Sequence, residues 1–121
     1  MGVFTRVPVI FGGGGRVHTP QGAVVASGGT VTLGDDGNVF HISGTTTIKY
    51  LTTTRWTAGD IIVLIFDASV TVAHNTGTVP ANTAPLLLAA AGNLSATAGD
   101  TLTLVYDGTA SAWRELARTV I

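Results

Sequence analysis

Thr57-Ala58-Gly59-Asp60-Ile61-Ile62-Val63-Leu64-Ile65-Phe66-Asp67-Ala68-Ser69 decides the fold class, because the chain contains it twice. The second copy is Thr97-Ala98-Gly99-Asp100-Thr101-Leu102-Thr103-Leu104-Val105-Tyr106-Asp107-Gly108-Thr109. The four-residue opening is identical, and each strand ends in Asp. Gly supplies the turn conformation and Asp caps it. The run that follows alternates, so Ile62, Leu64 and Phe66 share one face of a strand, as do Leu102, Leu104 and Tyr106. That face is the predicted core.

The opposite faces differ between the copies. Ile61, Val63 and Ile65 are apolar, whereas Thr101, Thr103 and Val105 are mixed. A strand apolar on both sides expects burial on both sides. Ile61, Val63 and Ile65 are therefore candidate subunit-interface residues. A central strand of a single sandwich fits the same pattern.

Outward from the repeat, Thr, Val, Ala and Gly dominate, and turn residues return every ten or so positions. That cadence belongs to short strands and tight turns. Strands are expected near 23–26, 30–33, 39–42, 46–51, 61–66, 70–73, 85–88, 101–106 and 112–117. The stretch nearest to a helix pattern, 84–94, is interrupted by Pro85 and Gly92. The expected fold is all-β: a small antiparallel sandwich, jelly roll or β-prism-like domain over residues 23–121. Two copies of a unit are too few for a stacked-repeat solenoid.

Residues 1–22 read differently. Val7-Pro8-Val9-Ile10-Phe11 precedes four consecutive glycines, Gly12 to Gly15. Glycine runs order at high cost and behave as linkers. The segment reads as an extended, Gly-rich N-terminal arm, with Val7, Val9, Ile10 and Phe11 as candidates for docking on a neighbour. An edge strand folded back on its own domain is the alternative.

Composition narrows the class of function. Apolar residues make up 45% of the 121 positions and charged residues only 11%, below the usual quarter or so. So few charges leave a small monomer poorly dispersed, which favours a chain that buries surface against other copies. No run reaches the ~20 apolar residues of a membrane helix, and no compact signal-peptide core stands at the start. Six scattered Lys and Arg give no phosphate-binding footprint, so nucleic acid is not an expected partner. There is no cysteine for a disulfide or thiolate site.

Chemistry-bearing motifs are sparse. His18, His41 and His74 stand apart, without metal-ligand spacing. Asp35-Asp36-Gly37-Asn38 lacks the alternating ligands and closing Glu of a calcium loop and reads as a turn. Gly12–Gly15 is followed by Arg16, not by the Lys-Ser/Thr of a phosphate loop. No nucleophile elbow is present. The expectation is a non-enzymatic protein without cofactor or metal. Trp113 is expected in the core. Trp56, beside Arg55, is a candidate receptor contact, since aromatic side chains concentrate at binding hot spots.

One segment resembles a known family. Phe40-His41-Ile42-Ser43-Gly44-Thr45-Thr46-Thr47-Ile48 is similar to a segment common in bacteriophage tail-fibre, tailspike and related virion proteins. The order of later fragments is also kept: Ile62–Asp67, Thr71-Val72-Ala73-His74-Asn75-Thr76, Leu86-Leu87-Leu88, Ala98-Gly99-Asp100 and Ala112-Trp113-Arg114. Two departures are Ala68 for a glycine, and Ala89-Ala90-Ala91-Gly92 for Pro-Gly-Gly. The resemblance implies a β-structured, usually trimeric module of the virion surface, assembled in the host cytoplasm. It carries no catalytic residue onto this chain. With no fibre shaft in the sequence, the expected role is a capsid decoration (cement) protein, a homotrimer bound to the major capsid protein or another virion protein. The alternative is a tail-fibre or spike tip that binds a host-surface receptor or glycan through Trp56.

Overall fold

The computed structural model describes residues 19–121. The chain is all-β. Its strands are β1 (Val25–Ala26), β2 (Thr30–Val31), β3 (Val39–Ser43), β4 (Tyr50–Thr52), β5 (Ile61–Phe66), β6 (Val70–Val72), β7 (Thr83–Leu87), β8 (Leu94–Ala96), β9 (Thr101–Asp107) and β10 (Ala112–Thr119). A single 3-10 turn, Ala89–Ala91, is the only helical element among the described residues. Eight strands form one sheet in the order β1-β3-β5-β9-β10-β7-β4-β2, and β6 pairs with β8. The two edge strands, β1 and β2, are joined by the short Ser27-Gly28-Gly29 link, so the sheet rolls into a nearly closed barrel.

The expected antiparallel sandwich is corrected by the pairing. β1 lies parallel to β3, and β3 parallel to β5, with Val25 beside Ile42 and Ile42 beside Phe66. β2 lies parallel to β4, and Ile48 bridges Val72 in parallel. Between Val25 and Val72 the chain winds in coils, each laid on the one before. Antiparallel strands then pair onto these coils: β9 on β5, β7 on β4 and β8 on β6. Gly, Asn and Asp serve a corner between two sides of a roll as well as a hairpin. Turn chemistry therefore gave the breaks in the chain and left the partner of each strand open.

Local sequence explains most elements. β5 has the burial alternation of its side-chain period, with Ile62, Leu64 and Phe66 fully buried. β4 is shorter than the expected 46–51 strand, and only Ile48 of its first half makes a bridge. β8 was not expected: Leu94-Ser95-Ala96 has little intrinsic strand preference and exists because Val70–Val72 pairs with it. Pro85 is tolerated inside β7 because the β7–β10 ladder begins one residue later, at Leu86 opposite Trp113.

The core fills the inside of the roll. Val31, Phe40, Ile42, Ile48, Leu51, Leu86, Leu102, Leu104 and Trp113 join the three buried residues of β5, all without solvent exposure. Trp113 is thus a core residue, as expected. Its indole N–H meets no acceptor among the described residues.

The two copies of the repeated unit pair with each other. β5 and β9 run antiparallel with Ile61 opposite Val105, Val63 opposite Thr103 and Ile65 opposite Thr101. Val63 and Thr103 are equivalent positions of the two copies, so a local twofold axis passes between them. The turns obey it. Gly59 donates its N–H to the Tyr106 carbonyl, and Gly99 to that of Phe66, both at 2.8 Å. Tyr106 and Phe66 donate back to the carbonyls of Asp60 and Asp100, both at 2.9 Å. Thr57 and Thr97 each donate a backbone N–H to the Asp three residues on, at 2.8 Å. Gly59 and Gly99 have φ of 95° and 92°, which is why each turn needs glycine.

Candidate functional site

Register builds the outer face of β3, β5, β9 and β10 row by row. One row holds Val39, Val63, Thr103 and Ala117, and the next holds His41, Ile65, Thr101 and Thr119. At the other end Ile61 lies beside Val105, which lies beside Arg114. Val63 and Ile65 are half-buried, and Ile61 is 48% exposed. β5 is therefore an interior strand of the sheet, yet no second layer of described residues covers its outer side. The sequence named Ile61, Val63 and Ile65. The structure adds Val39 and Val105, giving a continuous apolar stripe across three strands. Val105 was within reach of sequence reasoning, because it occupies the position of Ile65 in the repeated unit.

Polar pairs border the stripe at both ends, and the twofold axis relates them. At one end the Asp67 carboxylate meets His41 Nδ1 at 2.6 Å. At the other, Asp107 accepts from Arg114 Nε at 3.1 Å and from the backbone N–H groups of Thr109 and Ala110. The Ala110 N–H and then the Arg114 guanidinium hold the Asp107 carboxyl below its ordinary value, and the Thr109 N–H adds to them against the opposing cost of burial. An apolar centre with a charged, hydrated border is the anatomy of a protein–protein interface.

Elsewhere the polar side chains serve the fold. The buried Asp100 carboxylate accepts the N–H groups of Ile121 and Thr97 at 2.9 and 2.8 Å. Those bonds, led by Ile121, lower its pKa. Glu115 forms a two-pronged pair with Arg118 at 2.7 and 2.8 Å and accepts the N–H of Ala89. Arg118 pulls the Glu115 carboxyl down, and Glu115 in turn raises Arg118. Sequence reasoning missed this pair, since the three-residue spacing puts like-facing charges together only through the bulge between Glu115 and Ala117.

The remaining candidates have these places. Trp56 sits in the β4–β5 connection, half-buried against the core. Its ring meets Phe40 edge-on at 6.4 Å and Trp113 at 5.8 Å. His74 Nδ1 accepts the N–H of Leu88 at 2.9 Å, which places the proton of the neutral ring on Nε2. Asp36 accepts the N–H of Ala23, and Asp35 pairs with Arg55, so both acids of that turn hold neighbouring chain. Among the described residues no cluster of three His, Asp or Glu side chains could hold a metal ion, and no helix is long and apolar enough to cross a membrane. Val7, Val9, Ile10, Phe11 and His18 lie outside the described residues. Of the expected arm, residues 20–22 lie along β3: Gln21 bridges Val39, and the Pro20 carbonyl accepts from Asn38 and Val39.

Searches with family models, among curated proteins and among solved structures returned no match.

Proposed function

We propose that this chain is a non-enzymatic structural protein of a phage virion, a capsid decoration protein that assembles as a trimer and stabilises the head. The observation that carries the reading is the apolar stripe of Ile61, Val63, Ile65 and Val105, on a rigid sheet, bordered by His41–Asp67 and Arg114–Asp107. A monomer with 11% charged residues and a mean hydropathy of +0.46 gains by covering such a surface. The resemblance around Phe40–Ile48 supplies the virion setting. A spike tip would draw on Trp56, whose ring is already engaged by Phe40 and Trp113. The capsid reading draws on a face with no such partner among the described residues, and is preferred.

Two measurements test it. Light scattering is expected to give three times the 12.3 kDa chain mass. Purified protein is expected to co-sediment with stripped, expanded capsids and to raise their melting temperature. A monomeric mass removes the assembly, and absence from the capsid pellet removes the decoration role.

A further inference from the structure

We propose that the open cleft between the Thr57–Asp60 turn and the β9–β10 hairpin binds a carboxylate-bearing sugar ring, with Arg114 as its anchor.

The cleft has a volume of about 730 Å³, within the range of small-molecule sites. Ala58 and Gly59 line it from the turn, and Val105, Tyr106, Asp107 and Arg114 from the hairpin. The local twofold explains why it is open. At Gly99, the counterpart of Gly59, Ile121 Cδ1 lies 3.6 Å from the point where a Cβ would stand. At Gly59 no described atom comes within 4 Å of that point. Ile121, just past β10, fills one end of the β5–β9 pair, and among the described residues nothing fills the other.

Two side chains of the cleft have donors to spare. Arg114 is half exposed and commits only Nε, at 3.1 Å from Asp107. Its two terminal nitrogens meet no acceptor among the described residues, and the Tyr106 hydroxyl has no partner there either. A guanidinium with its outer edge free is a planar pair of donors that matches a carboxylate. The Asp107 charge opposes such a ligand little, because Arg114 Nε and the N–H groups of Thr109 and Ala110 already hold it.

An arginine alone would fit any anion. Here it stands beside a mostly apolar lining, with Ala58, Val105 and the Tyr106 ring in reach of one ligand. The Tyr106 ring is held in place against Trp113, their centroids 5.2 Å apart. An apolar surface with a few fixed polar groups suits a ring that has a C–H face and hydroxyls at its edge. The Tyr106 hydroxyl and the Asp107 carboxylate are placed for those hydroxyls, and Arg114 for the acid.

Isothermal titration of the full chain with sodium glucuronate tests the site, with glucose, acetate and inorganic phosphate as comparisons. Glucuronate is expected to bind more tightly than all three. Arg114→Lys keeps the charge and removes the planar fork. It is expected to weaken glucuronate about tenfold or more, the cost of a lost hydrogen bond to a charged group. Ala58→Trp fills the cleft from an exposed turn position and is expected to abolish binding. Both variants alter exposed residues and are expected to keep the wild-type urea midpoint. Glucose binding as well as glucuronate overturns the role given to the acid, and phosphate binding as well overturns the sugar. Absence of glucuronate binding, or binding that survives both substitutions, overturns the site. A chain that binds glucuronate but is monomeric by light scattering keeps this inference and loses the assembly, and the opposite pair of results does the reverse.

Discussion

Gly59 and Tyr106 are joined across the sheet by a 2.8 Å hydrogen bond, from the glycine N–H to the tyrosine carbonyl, and Gly99 and Phe66 repeat it at the other end. Each copy of the repeated unit thus uses its turn to close the end of the other copy's strand. This makes β5 and β9 a self-complementary pair, and its consequences can be measured.

The two turns should respond alike to the same change. An alanine at φ near +90° is strained even where space is open, at about 1–3 kcal/mol. Gly59→Ala and Gly99→Ala are each expected to lower stability by that amount in urea melts. A loss at one site alone would mean that the two turns do not act as equivalents.

Ala90 should improve the protein when replaced by glycine. It is exposed, with φ of 57° and ψ of 20°, in the 3-10 turn after β7. Relief of the left-handed strain offsets the greater freedom of the unfolded chain. The expected gain from Ala90→Gly is about 0.5–1 kcal/mol, read as a higher urea midpoint.

The two sides of β5 should separate stability from assembly. Leu64 is fully buried opposite Leu102, and Leu64→Ala is expected to cost about 2–5 kcal/mol. Ile61→Lys, on the exposed side, is expected to change stability by no more than about 0.5 kcal/mol. The same substitution should lower the mass seen by light scattering, since it places a charge in the apolar stripe.

Acid should weaken the fold. Asp100, Asp107 and Glu115 all have lowered pKa values in the folded chain. In the unfolded chain such groups titrate near 4. The native state therefore binds fewer protons there, so the stabilisation is complete above that range and is lost as pH falls through the lowered values. The urea midpoint is expected to be lower at pH 3 than at pH 7. Asp100→Asn should narrow that difference, because it removes the carboxylate that receives Ile121 and Thr97.

Much of the local structure was legible. Alternation in Ile61–Phe66 and Thr101–Tyr106 identified both strands and the buried Ile62, Leu64, Phe66, Leu102 and Leu104. Tyr106, expected with them, is only half-buried against the core, while Trp113 was correctly placed inside. Short elements were less so. Leu94–Ala96 is a strand only by virtue of its partner, and the Glu115–Arg118 pair depends on a bulge. The candidate face was half legible: Ile61, Val63 and Ile65 announced it, but Val39 joins them only because β3 runs beside β5.

What the sequence determined by itself was the period of each strand, the positions of its breaks and the fact of the repeat. These follow from side-chain geometry and turn chemistry, which act over a few residues. Tertiary structure decided that the coils stack in parallel, that the two copies of the unit lie side by side about a twofold axis, and that one apolar face has no second layer over it among the described residues. Strand partners are chosen by burying the most apolar surface across the whole chain, and no short stretch carries that information.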